Sequence, residues 1–256
     1  MSVVAAAPAS RWRVGLLVAI ALAGLVVAML APPLRQDPAY HDFADRRTFL
    51  GIPYALNVVS NLGFLVVGAW ALGAAARARL LRWERAAAYL FAVGLVPTGL
   101  GSAWYHLAPS NATLVWDRLP LSALFPIAFA VVIGDRVSAP AGRLLVLPLA
   151  VFGVVSVVWW DLTDDLRPYA VAQFLPLLLI PIMLALFPGR RPVGALVVGV
   201  ALYAVGKVFE LGDAATLALG GLVSGHTVKH VLAAVAAGFI TRWICVSTSR
   251  RAPPVR

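Results

Sequence analysis

The chain has 256 residues, of which 61% are hydrophobic and only 12% charged, and its mean hydropathy is +0.88. Soluble domains carry about 25% charged residues, so this composition excludes an ordinary water-soluble fold. The net charge of +10 would suit a nucleic acid, but most arginines lie in short segments between apolar runs, which argues for a topology signal instead.

Eight apolar runs follow one another at roughly 14–32, 53–76, 86–107, 118–134, 143–160, 169–187, 193–210 and 226–245. Each is near the ~20 residues that cross a hydrocarbon core of ~30 Å. They predict an all-α, polytopic membrane helical bundle. The first run follows Arg11 and Arg13; it is long for a leader peptide and no clear small-x-small cleavage site follows it, so it reads as a spanning helix or signal anchor. Pro97, Pro126, Pro148 and Pro176 fall inside runs, as membrane helices tolerate.

The connecting segments alternate in charge. One set carries Arg77, Arg79, Arg82 and Arg85, then Arg136 and Arg143, then Arg190 and Arg191; both chain ends are basic too, with Arg250, Arg251 and Arg256 at the second. The other set carries Asp42 and Asp45, then Asp161, Asp164 and Asp165, then Asp213. This bias predicts cytoplasmic tails at 1–13 and 246–256 and outward acidic loops. Both tails read as disordered. Trp83 and Trp243 at one face, and Trp159 and Trp160 at the other, read as aromatic belts. The single cysteine, Cys245, allows no intrachain disulfide.

Three of the four histidines fall at the outer face of this topology. His226 and His230 are four residues apart and share one helical face. His106 ends the third run and supplies another imidazole. Three imidazoles with an open fourth position describe a catalytic zinc site. Ser102 lies one turn from His106, and Asp117 opens the next run on the same side. A carboxylate there accepts a proton from water whose pKa a metal lowers toward ~7, while a serine orients the water or hydrogen-bonds an oxyanion. Two rivals use similar residues. Bis-histidine haem needs histidines on facing helices, which the His226/His230 pair does not provide. A retinal protein needs a buried late lysine, and Lys207 is available; but Lys207, Glu210 and Asp213 recur at spacings of three and read more simply as a polar stripe with an internal ion pair.

The set Ser102-x-x-x-His106, Asp117 and His226-x-x-x-His230 resembles the signature of the CREST superfamily of membrane hydrolases. The resemblance is closer to its alkaline ceramidase branch, especially the bacterial phytoceramidase-like members. "LNVVSNLGFLVVG" looks like that branch's first core helix, "GSAWYHLAPSNATLVWDRLP" like its second and the start of its third, and "SGHTVKH" like the start of its last. The resemblance covers residues 40–245. It implies a seven-helix core there, with 14–32 as an extra N-terminal transmembrane helix. It implies Zn2+ held by His106, His226 and His230, with Asp117 holding the attacking water and Ser102 beside it. The implied activity is hydrolysis of the amide of a ceramide-like N-acyl lipid, with the acyl chains between the helices. The implied location is a bacterial inner membrane, with the metal site toward the outer face.

Two departures bear on this. Relatives that bind Ca2+ use acids before and within the first core helix, and Tyr54 stands where one of them is expected. Asp42, Asp45 and Asn57 remain as candidates for a secondary polar or calcium site, so weak calcium dependence at most is expected. Arg118 stands where eukaryotic relatives carry an acid. The alternative from another class is a membrane receptor or lipid-binding protein with a structural zinc; Ser102 and Asp117 favour the enzyme, since a structural site needs no base beside an open position. The lack of an inverted repeat disfavours a transporter.

Overall fold

The computed structural model describes residues 11–246. Among them there is no β-strand. The helices are α1 (Arg11–Leu30), α2 (Ala55–Val59), α3 (Leu62–Arg77), α4 (Arg82–Leu107), α5 (Asn111–Arg136), α6 (Ala139–Thr163), α7 (Arg167–Leu186), α8 (Gly194–Leu211), α9 (Asp213–Gly220) and α10 (Gly225–Ile244), with a 3-10 turn at Pro38–His41. The disordered cytoplasmic tails expected at 1–13 and 246–256 lie outside the described residues, apart from 11–13 and 246. Arg11 and Arg13 belong to α1, where the Arg13 guanidinium donates to the Leu186 carbonyl at 2.7 Å.

Every expected apolar run lies on a helix. α1, the α2–α3 pair and α4 to α8 are each long and apolar enough to cross a membrane, which makes this an integral membrane protein. α10 is long enough, but it carries His226, Lys229, His230 and Arg242. It reaches spanning character only jointly with α9, from which it is bent by 105°. α9 and the break between α2 and α3 at Ser60 and Asn61 are features the apolar pattern does not mark.

The helices pack mainly on neighbours in the order α6, α5, α4, α3, α10, α8. α7 lies against α5 and α6, and α1 packs chiefly on α7. The end of α1 is tied down by Arg167, which donates to the Met29 and Ala31 carbonyls and pairs with Asp165 at 2.7 Å. These hydrogen bonds hold the Asp165 carboxyl down to about 2. Their contribution is therefore present at neutral pH and lost only as pH falls from the usual carboxylate range through about 2. α7 and α8 are consecutive but do not pack along their length. Two cavities described below occupy that gap, bridged by a hydrogen bond from Gln173 to Tyr203.

At the end of the bundle where α4 begins, the charges form a closed network. Glu84 accepts from Arg190 at 2.9 Å and pairs with Arg191 at 3.1 Å. Asp135 pairs with Arg191 at 3.2 Å and with Arg136 at 3.1 Å. Arg136 also donates to the Phe187 and Arg191 carbonyls. Arg136 and Arg191, expected as loop charges, are thus buried, because Glu84 and Asp135 neutralise them inside the bundle. Two of the expected belt tryptophans are buried for a similar reason. Trp243 packs under the Arg191 guanidinium and Trp160 under that of Arg118.

Removing one member of such a network leaves buried charge uncompensated. Glu84→Gln should therefore destabilise the detergent-solubilised protein by about 3 kcal/mol or more, read as a lower thermal unfolding midpoint. An unchanged midpoint would show that the network contributes nothing.

Candidate metal centre

At the opposite end, α4 delivers His106 in its last turn and α10 delivers His226 and His230 in its first two. The start of α10 is fixed from three sides. Ser224 caps it, accepting from the Thr227 N–H at 3.3 Å. Asp213 accepts the His226 N–H at 2.7 Å through one carboxylate oxygen and the Ala44 N–H at 2.9 Å through the other. Gly225 permits close approach to α8, since a Cβ there would stand 2.0 Å from the Phe209 carbonyl oxygen. Asp213 thus leaves the expected polar stripe and works as a backbone anchor. Lys207 does pair with Glu210, and Lys229 joins them at 3.2 Å.

The three imidazoles are buried, and each offers a ring nitrogen within 4.8 Å of the others. Phe43 covers them, its ring centre 4.6 Å from that of His106 and 4.5 Å from that of His226. His106 Nε2 and His230 Nε2 face each other at 3.3 Å, and His226 Nε2 is buried without a hydrogen-bond partner. Two nitrogens bonded at ~2.0–2.1 Å to one tetrahedral ion lie ~3.3–3.4 Å apart, so the observed spacing suits a shared cation.

The setting of His230 agrees. Ser60 Oγ lies 2.8 Å and Asn61 Nδ2 3.4 Å from His230 Nδ1, and both groups also hydrogen-bond the Asn57 carbonyl. They hold the ring by its Nδ1 edge and turn Nε2 toward His106. The three histidines therefore form a buried group able to hold a metal ion.

The fourth histidine, His41, stands outside this group. It bonds Tyr105 Oη at 2.8 Å and Asn111 Oδ1 at 2.9 Å, fastening the 3-10 turn to α4 and α5.

A cavity of about 280 Å³ adjoins the cluster and is lined by His230, Ser102, Asp117 and Arg118 among others. Gly101 sets its width. A Cβ there would stand 2.1 Å from the Trp116 carbonyl oxygen, so only glycine lets α5 bring Asp117 this close to α4 and Ser102. The cavity shares Phe64, Leu121, Tyr203 and Ala233 with an apolar cavity of about 60 Å³ deeper in the bundle. A larger groove of about 470 Å³ between α1 and α5–α7 is apolar and lies away from the histidines.

Asp42, Asp45 and Asn57 are engaged separately. Asp42 pairs with Arg46 at 3.3 Å on the surface. Asp45 is buried against Arg47 at 2.7 Å, and this hydrogen bonding holds its carboxyl below the usual range. Asn57 is buried, and its side-chain oxygen accepts from Thr227.

Sequence reasoning does not assign Ser60, Asn61, Phe43 or Asp213 a place around the histidines. The signal for the first two was two polar residues in the middle of an apolar run. Phe43 and Asp213 come from distant segments and have no local signal. In comparisons with known proteins, the chain matches no protein-family model and no curated protein. Fold and site together define an all-α membrane bundle with a buried three-histidine centre beside a polar cavity.

Ser60→Ala removes the hydroxyl that holds His230 by its Nδ1 edge. It should weaken metal affinity roughly 10- to 100-fold, measured by competition with a chromogenic chelator. Unaltered affinity would mean that Ser60 does not orient the ring.

Proposed function

We propose that this protein is a zinc-dependent intramembrane hydrolase that cleaves the amide bond of a ceramide-like N-acyl lipid. The observation that carries this reading is the meeting of three environments in one place: a buried trio of imidazoles, a polar cavity with Asp117 and Ser102 in its wall, and an apolar extension between α7 and α8. A lipid amide needs all three. Its polar end needs hydrogen-bond partners, its carbonyl needs an electrophile and a base nearby, and its chain needs an apolar channel.

A divalent ion on His106, His226 and His230 would supply Lewis acidity and make nearby water more acidic. Zinc suits three imidazoles at this spacing. Asp117 takes the proton from the attacking water and returns it to the departing amine. Ser102 donates a hydrogen bond to the carbonyl oxygen as charge develops on it. The unpacked seam between α7 and α8 admits the acyl chain sideways from the bilayer. Arg77, Arg79, Arg82, Arg85 and Arg143 are all exposed at the far end of the bundle. Their bias supports an orientation with both termini in the cytoplasm and the histidine centre toward the outer face, the membrane in this reading being a bacterial inner membrane.

Purified protein, assayed for metal and against a panel of lipid amides, tests this. Asp117→Asn should keep its zinc and lose on the order of 10²–10⁴ in turnover. His106→Ala should lose both, because three protein ligands are usual for a catalytic zinc; Ser102→Ala should lose less. Full turnover in Asp117→Asn, or zinc retained in His106→Ala, would remove the mechanism. Stoichiometric zinc with no hydrolysis of any amide would favour a lipid-binding protein with a structural ion.

Orientation has its own test, in protein with Cys245 replaced. A cysteine at position 111 should react with an impermeant thiol reagent in intact cells and one at position 79 should not. The reverse pattern would invert the topology.

A further inference from the structure

Asp117 and Arg118 are adjacent on α5, yet they serve different surroundings. One residue turns ~100° around a helix, so neighbours leave in different directions. The Arg118 guanidinium stacks on three aromatic rings, with its carbon 4.3 Å from the centre of Trp160 on α6, 5.0 Å from Tyr169 on α7 and 5.3 Å from Tyr40 in the 3-10 turn. Arg118 is only 5% exposed, its Nη1 is buried without a hydrogen-bond partner, and it forms no salt bridge among the described residues. It nevertheless lines the same cavity as Ser102, Asp117 and His230.

A buried arginine without a carboxylate is unusual, because the uncompensated charge is costly. The aromatic faces offset part of that cost and fix the plane of the guanidinium. Stacking uses only the faces. The N–H groups lie in the plane and remain available to a ligand that can accept two of them side by side. The half-buried Lys207 and Lys229 are already engaged, both by the Glu210 carboxylate, which also accepts from Tyr40 at 3.3 Å. Desolvation, joined by the Glu210 carboxylate, pushes the Tyr40 phenol well up, so this group stays a donor. Glu210 is occupied in this way, and Asp117 and Asp37, which also line the cavity, do not come within ion-pair distance of Arg118.

We propose that Arg118 is an oxyanion subsite: it binds a carboxylate or phosphate on the polar end of the lipid, so the substrate is an anionic N-acyl amphiphile. This rests on the amidase reading above for its placement beside the scissile bond. It adds the charge of the substrate, which the histidine centre leaves open. The aromatic cage sets this subsite against α6, the start of α7 and the 3-10 turn.

Matched lipid pairs provide the test, using full-length protein in nanodiscs with the Asp117→Asn substitution to suppress cleavage. N-palmitoylglycine and its uncharged amide, N-palmitoylglycinamide, differ only in the anion; ceramide 1-phosphate and ceramide form the second pair. At least one anionic member should bind roughly tenfold or more tightly than its neutral partner, and which pair shows the ratio tells carboxylate from phosphate. Adding Arg118→Gln should collapse that ratio while leaving binding of the neutral member within about twofold, and Arg118→Lys should restore part of it. Equal binding within both pairs, or a ratio that survives Arg118→Gln, overturns the subsite. The first criterion needs no change at position 118, so a poorly folding variant cannot obscure it. Turnover by the protein with Asp117 intact separates the two readings. Charge-selective binding without hydrolysis would sink the amidase and spare the subsite, and hydrolysis of neutral and anionic amides alike would do the reverse.

Discussion

The approach of His106 Nε2 to His230 Nε2 at 3.3 Å, between two buried rings, is the contact around which this end of the bundle is arranged. Inside an apolar structure a polar atom without a partner keeps most of its desolvation cost. One of these nitrogens can donate to the other, but His226 Nε2 is then still left over. A shared cation would serve all three at once. The surrounding irregularities make sense in the same terms. The chain breaks at Ser60 and Asn61 to bring polar groups to His230, Asp213 spends both carboxylate oxygens on backbone N–H groups nearby, and glycine at 101 and 225 brings helices close enough for the groups to converge.

The two ends of the bundle handle buried charge differently. Glu84, Asp135, Arg136, Arg190 and Arg191 pair among themselves and with carbonyl groups, so every buried charge there has an opposite charge beside it. At the histidine end, among the described residues, His226 Nε2 has no hydrogen-bond partner and Arg118 has no carboxylate within ion-pair distance, and the cavity lies alongside. A buried charge without its opposite is kept only where something else offsets it. The contrast lies in where the compensating charge comes from: within the chain at one end, and not from the described residues at Arg118.

The helices were legible because apolar runs of about 20 residues have one solution in a membrane, and all eight runs lie on helices. The three histidines were legible because they are rare in this chain and because a spacing of four defines one helical face. The parts that were not legible depend on long-range pairing. Arg136 and Arg191 looked like loop charges until Glu84 and Asp135 were seen to reach them, and Trp160 and Trp243 looked like belt residues until arginines were found against their rings. Arg118 was visible as a substitution for an acid, but nothing in its immediate sequence pointed to Tyr40, Trp160 and Tyr169 around it. Charge and aromatic signals read locally report composition, and their meaning changes once a partner arrives from a distant segment.

The Phe43 ring has a consequence for access. It closes over His106 and His226, and its own segment is pinned through the Ala44 N–H to Asp213, the residue that also anchors α10. With that side covered, an ion bound among the imidazoles would be approached through the cavity that His230 lines. Whatever fills the cavity and whatever removes the ion would then compete for one entrance.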